Sequence, residues 1–278
     1  MAAAGHPAYR RPMKLLHTAA PVDPRVAAVE QNLLDQLDHF VRAPVVTDLR
    51  MAGVTAYRSE VAFPLFNAVG GADFANDPDV GDRVAAVVGD FVGRGLPFLW
   101  WPTPSTTSPA LEAALRSHGL VRDEVTGMYV ELVGPAAVPL PVGVRVVHDP
   151  PLADFTLALV EAFAMPPEVA GPMATLMSAL PHHQLHNVLL LEEERLVGCG
   201  SIYLTGSVAG LYDIATVERD RGRGLGQAMT AVLLDLAHRL GATRAVLHAT
   251  PMGVPVYCRA GFEAVCPMPQ YLWLPDAD

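Results

Sequence analysis

Residues 211–226, Leu-Tyr-Asp-Ile-Ala-Thr-Val-Glu-Arg-Asp-Arg-Gly-Arg-Gly-Leu-Gly, pass from an apolar run into a turn rich in glycine and arginine and then into a helix. Glycine admits positive φ and lets a ligand come close to the backbone. The first amides of a helix have no acceptor within it, and the positive end of its dipole lies behind them. A strand end, a glycine turn and a helix start in that order form an anion hole, and its natural guest is the diphosphate of a cofactor.

Several elements must hold this hole in place. The stretch 210–217 reads as the strand that delivers the chain to it. Leu225, Ala228, Met229, Val232, Leu233, Leu236, Ala237 and Leu240 then form one apolar stripe, so a long helix lies against a sheet and stops at Gly241. Residues 244–249 read as the next strand, 254–259 as a short helix, and 262 onward as the last strand or strands. Upstream, 144–147 reads as a strand and Leu152, Phe155, Leu159, Val160 and Phe163 as a helical stripe. Met173, Leu176, Met177 and Leu180 follow as a second short helix, and 188–191 with 196–204 form a hairpin about the charged turn 192–195.

The chain has 278 residues, enough for one large or two ordinary domains, and at 51% hydrophobic and 17% charged it has the material for packed cores. Its net charge of −10, with no basic patch, argues against nucleic acid and leans toward a cationic or amine-bearing partner. Three cysteines without CxxC spacing indicate neither a disulfide framework nor a zinc site, and no metal is expected. With no apolar run of about 18 residues and no signal-like segment, we expect a cytoplasmic protein that does not enter a membrane. Residues 1–20 are expected to be a flexible tail.

In the first half, Asp23 and Pro24 open a helix with Val29, Leu33, Leu34, Leu37 and Phe40 on one face. Residues 53–69 read as a strand with a loop or short helix, 79–91 as a helix, 96–101 as a buried strand, 109–117 as a helix and 125–132 as a strand. The proline-bearing stretch 133–143 reads as a linker between a domain at 21–132 and another at 144–278. Both halves run strand, Thr-Pro turn, helix, Gly-apolar, strand: Thr103-Pro104 to Gly119-Leu120 in one, Thr250-Pro251 to Gly261-Phe262 in the other. The alignment sets Leu115 opposite Tyr257, and nothing in the first half corresponds to the glycine turn.

Arg221-Gly222-Arg223-Gly224-Leu225-Gly226 resembles the Arg-x-x-Gly-x-Gly segment of the GNAT superfamily of acyl-CoA-dependent N-acetyltransferases, and Tyr257-Cys258-Arg259-Ala260-Gly261-Phe262 resembles its Tyr-x-x-x-Gly-Phe signature. The resemblance covers roughly 144–274. Ala215-Thr216-Val217 with Pro251-Met252-Gly253 is similar to tandem members in which an inactive copy precedes an active one. The implied fold is α/β (α+β): two GNAT-like domains, the first degenerate, each with a mixed, mostly antiparallel sheet flanked by helices.

The resemblance implies direct transfer of acetyl from acetyl-CoA to a primary amine. Ile214, Ala215, Thr216 and Val217 would pair with the pantetheine amides, and the amides of Arg221, Gly222, Arg223, Gly224, Leu225 and Gly226 would hold the pyrophosphate. Tyr257 would protonate the departing thiolate. Thr250 stands where many members carry Asn, and Val217-Glu218-Arg219 lacks the proline often found there. The attacking amine must be neutral, so a base is expected: Asp213, His248, His182 or His183. The expected acceptor is a small amine, with a protein acceptor as the other case, and the expected assembly is a monomer or homodimer. The alternative is a non-catalytic acyl-CoA sensor or interaction protein.

Overall fold

Asp23 caps the first helix, α1 (Pro24–Phe40), by accepting the Arg25 amide at 2.9 Å, and Pro24 stands where no amide hydrogen is needed. In the computed structural model residues 23–74 and 77–275 are described, so the segment expected as a tail lies outside the described residues. After α1 come three short strands, β1 (Thr47–Asp48), β2 (Thr55–Arg58) and β3 (Ala68–Gly70). Helix α2 (Val80–Val92) buries Val84, Val87, Val88 and Phe91. Strand β4 (Phe98–Trp101) alternates, with Phe98 and Trp100 buried and Trp101 turned to the opposite face. Ser108 caps α3 (Pro109–Ser117), and β5 (Val121–Glu131) closes the first half, starting four residues before the strand read from the sequence.

Residues 132–143 carry no regular element. The second half continues with β6 (Val144–His148), α4 (Leu152–Phe163), α5 (Ala170–Met177), β7 (Leu185–Glu192), β8 (Arg195–Thr205) and β9 (Val208–Thr216). Then follow α6 (Leu225–Arg239), β10 (Arg244–Ala249), α7 (Val254–Arg259) and β11 (Glu263–Trp273).

All these strands join one sheet in the order β1-β2-β3-β4-β11-β5-β10-β9-β8-β7-β6. Its pairings are antiparallel except β3 with β4 and β9 with β10, where a helix crosses between parallel neighbours. The mixed, mostly antiparallel sheet with flanking helices is as expected, but the halves share one sheet. The last strand of each half lies beside the other half: β11 pairs with β4 and β5 pairs with β10. Between them, β5 and β11 pair along Val121 to Tyr129. The arrangement is pseudo-symmetric about the β5–β11 ladder, with β4 matching β10 and β3 matching β9.

Alternation along β10 fixes the layers. Ala245, Leu247 and Ala249 pack with α6, and Val246 packs with α1, so these helices cover opposite faces. Helices α2, α3 and α7 share the α6 face, while α4 and α5 share the α1 face. Although α1 belongs to the first half, it docks on the second. Asn32 donates to the Tyr203 carbonyl at 3.1 Å and to Thr205 Oγ1 at 3.0 Å, and accepts from the Tyr212 hydroxyl at 2.6 Å. Gly210 lies under this contact. A Cβ there would stand 1.8 Å from Asn32 Oδ1, so only glycine admits the helix so close.

Candidate functional site

Strands β9 and β10 pair in parallel only as far as Leu211 with Leu247. Beyond that point β9 stays with β8 and β10 stays with β5, so their ends diverge and a gap opens between residues 212–216 and 248–249. A β-bulge accompanies the parting. Ser201 faces Tyr212 and Cys199 faces Ala215, leaving an extra residue on β9, and Asp213 adopts φ +57. That is a conformation asparagine and aspartate tolerate better than other side chains do.

The bulge turns Asp213 toward β8, where the Ser201 hydroxyl donates to its Oδ2 at 2.6 Å. The residue keeps some exposed surface, but its carboxyl is desolvated. That burial, partly opposed by the Ser201 bond, holds its pKa above the usual carboxylate range. The folded state therefore binds this proton more tightly than the unfolded chain does. Stability linked to it is intact below the unfolded value of about 3.9 and is lost as pH rises through the raised folded value. Asp213→Asn is expected to raise Tm at pH 7–8 and to leave it unchanged below about pH 4; thermal melts at the two pH values check both halves.

His248 lies on the α1 face, its ring 6.1 Å from that of Tyr212 and 6.2 Å from that of Trp101, which the first half contributes. Burial pushes its pKa down to about 4, and its Nε2 is buried without a hydrogen-bond partner. It is therefore a neutral imidazole at physiological pH and a weak base. His182 and His183 sit apart, exposed on the loop before β7.

After β9 the chain makes a single 3-10 turn, Glu218–Asp220, and enters the glycine loop. Gly222 and Gly224 both take φ +79 with open space where a Cβ would be, and Gly224 caps α6 without a side chain. The Arg221 amide donates to the Glu218 carbonyl at 3.2 Å, so it is not among the free donors expected from sequence. The amides of residues 222–227 have no acceptor among the described residues, and Gln227 extends the expected set by one. They sit at the positive end of the α6 dipole.

The loop is braced from below. Asp220, whose side chain is 5% exposed, accepts from Arg195 at 3.1 Å and Arg223 at 2.6 Å, and these bonds, Arg195 foremost, hold its pKa below the usual range. Arg223 also reaches Glu192 at 3.1 Å, so its guanidinium braces the loop. Arg221 has no ion-pair partner among the described residues and lines a cavity of about 440 Å³ with Glu161, Val217, Glu218 and Arg219. Sequence reading missed the brace, because a carboxylate three residues before an arginine reads as an ordinary surface pair.

Tyr257 lies on the other side of the gap, on α7. Its ring meets Phe262 edge-on at 6.1 Å, its hydroxyl has no partner among the described residues, and burial pushes its pKa up to about 12. Thr250 Oγ1 accepts the Gly253 amide at 3.3 Å within the turn that leads into α7. The parted strands thus have a row of free amides at one end, a protonated phenol on one face, and a carboxyl of raised pKa with a neutral imidazole toward the other. Among the described residues there is no cluster arranged to hold a metal, and no helix is long and apolar enough to cross a membrane.

Residues 154–271 match the family model described as an acetyltransferase (GNAT) domain. Among solved structures, a GCN5-related N-acetyltransferase from Kribbella flavida is 19% identical with a TM-score of 0.65, covering 91% of this chain and 96% of that one. A GCN5-related N-acetyltransferase from Sphaerobacter thermophilus is 15% identical with a TM-score of 0.60 over 93% and 95%. A tandem GNAT protein from the clavulanic acid biosynthesis pathway is 12% identical with a TM-score of 0.55 over 92% and 96%. At these identities the likeness is one of fold, and it extends over both halves. No curated protein matches the chain.

Proposed function

We propose that the protein, whose residues 154–271 match the acetyltransferase (GNAT) family model, is an N-acetyltransferase that moves acetyl from acetyl-CoA directly to a primary amine. The observation that carries this reading is the row of acceptor-free amides at 222–227, set at the mouth of the β9–β10 gap. A diphosphate needs many donors in a small arc, and the positive-φ glycines leave room for it against the backbone. The arrangement fits acetyl-CoA: pyrophosphate on residues 222–227, Arg221 free for a further phosphate charge, and the pantetheine arm along 214–217. The thioester supplies the acyl group.

The chain's own groups divide the proton work. Asp213, with its raised pKa, is the better-matched base for an incoming ammonium group, because a base works best when its pKa lies near the operating pH. His248 is too weak a base at about 4 and serves as a neutral wall of the acceptor side. The Tyr257 hydroxyl keeps its proton throughout the neutral range and donates it to the departing sulfur. The first half, without a glycine loop, contributes β5, α1 and Trp101 to the catalytic half. The second reading, an acyl-CoA sensor, has no use for a partnerless phenol at the gap.

Gly224→Glu is expected to abolish acetyl-CoA binding in calorimetry while far-UV circular dichroism is unchanged. The variant sets a carboxylate where the diphosphate lies, on a residue that must hold φ +79. Unchanged affinity would remove the loop from the cofactor site.

A further inference from the structure

A second cavity, of about 340 Å³, opens on the α1 face beside the start of β7. Leu152, Met177 and Leu180 form its apolar wall, Asp149 and His182 stand in its lining, and Asn187 is part of it. Asn187 is 7% exposed, and its carboxamide has no hydrogen-bond partner: Oδ1 is buried and alone, and nothing among the described residues meets Nδ2. Buried polar groups in folded proteins are nearly always paired, so a carboxamide open beside a cavity is placed to bond a polar group that enters it. It is also rigidly held. The Asn187 backbone N–H donates to Asp149 Oδ1 at 3.1 Å, and the Asp149 backbone N–H donates to the Asn187 backbone carbonyl at 2.7 Å.

Register connects this cavity with the gap. Asn187 stands directly across from Ser201, and Ser201 donates to Asp213. With strands about 4.8 Å apart, Asn187 on β7 lies roughly 10 Å from the bulge on β9, on the same face of the sheet. We propose that this cavity binds the far end of the amine acceptor, and that it takes a neutral donor–acceptor group, hydroxyl or carboxamide, on an apolar chain. The inference rests on the acetyl-transfer reading and names the acceptor class for it. A carboxamide can turn to give or receive a hydrogen bond, which suits either group. The Asp149 carboxylate disfavours an acidic end, and the Leu152, Met177 and Leu180 wall suits methylenes.

The test compares aminohexanol, aminohexanamide and heptylamine, each with its amine at one chain end, for binding by calorimetry and for thiol release from acetyl-CoA. Wild type is expected to favour the polar-ended amines over heptylamine by at least about tenfold in kcat/KM and in Kd. The alcohol and amide arms show which group is taken. Asn187→Leu, which replaces an unpartnered amide with an apolar group of like size, is expected to erase that preference without lowering Tm. Asn187→Ala provides a second, smaller replacement with the same expected loss of preference. Equal treatment of the three amines by wild type, or a preference that survives both substitutions, overturns the proposal. If the polar-ended amines bind through Asn187 but no thiol is released, the transfer reading falls and this site stands. If thiol is released equally with all three, transfer stands and this site falls.

Discussion

Tyr257→Phe is expected to lower kcat about a hundred- to ten-thousand-fold, the usual worth of a positioned general acid, and to leave acetyl-CoA affinity unchanged. The substitution removes one oxygen that bonds to nothing among the described residues and keeps the ring that packs edge-on against Phe262 at 6.1 Å, so the fold loses little. Thiol release at saturating substrate gives the rate, and calorimetry gives the affinity. Because burial pushes the phenol up to about 12, the proton is present in wild type throughout the neutral range. Any rise of kcat with pH through the neutral range is then expected to come from groups other than Tyr257 and to persist in the variant at its lower level. An unchanged rate would remove Tyr257 as the acid. Tight acetyl-CoA binding by wild type without thiol release across a broad amine panel would select the sensor reading.

Expressed alone, residues 144–278 are expected to be insoluble or unfolded, although they contain the glycine loop and Tyr257. Strand β5 supplies the partner of β10 along Thr126 to Glu131 and of β11 along Val121 to Tyr129. It buries Val125 and Tyr129 on the α1 face and Met128 on the α6 face, while α1 buries Val29, Leu33, Leu34 and Leu37 over Val125 and Tyr129. At roughly 1.5–3 kcal/mol for each buried side chain, their loss rivals the whole stability of about 5–15 kcal/mol typical of a domain. Circular dichroism and thermal melts of the isolated half, compared with the half co-expressed with residues 1–143, measure the effect. Co-expression is expected to restore a cooperative melt and acetyl-CoA binding. A folded isolated half with full affinity would show that the exchanged strand is dispensable.

Much of the fold is local enough to be read from sequence. Asp23-Pro24 and Ser108-Pro109 mark helix starts by capping chemistry, and the observed bounds of α3, β10 and α7 agree with the segments read from their apolar spacing. The anion hole is equally local, since glycine, arginine and a helix start lie within a few residues. The short β1 to β3 run only two to four residues each, too few to set a period. Which strand neighbours which is not local at all. An alternating pattern tells β5 which face is apolar, and that face is served equally well by its own half or by the other. The bulge escapes for a related reason: the positive φ at Asp213 is imposed by register against Ser201, two strands' alignment that no single segment encodes. Asn187 and Ser201 gain their meaning only once β7, β8 and β9 lie side by side.

The β11 strand, lodged between β4 and β5, also sets the order in which the molecule can be made. As the ribosome releases the chain from its N-terminus, β4 and β5 emerge with the edges that will receive β11 still bare, and they stay bare until β11, made more than 130 residues after β5 ends, is free. Unpaired edges held open for that long invite pairing with other nascent chains. The first half is therefore not closed as a finished unit during synthesis; its sheet waits for β11, and yield in the cell is expected to depend on chaperone capacity more than for a protein whose domains close one at a time.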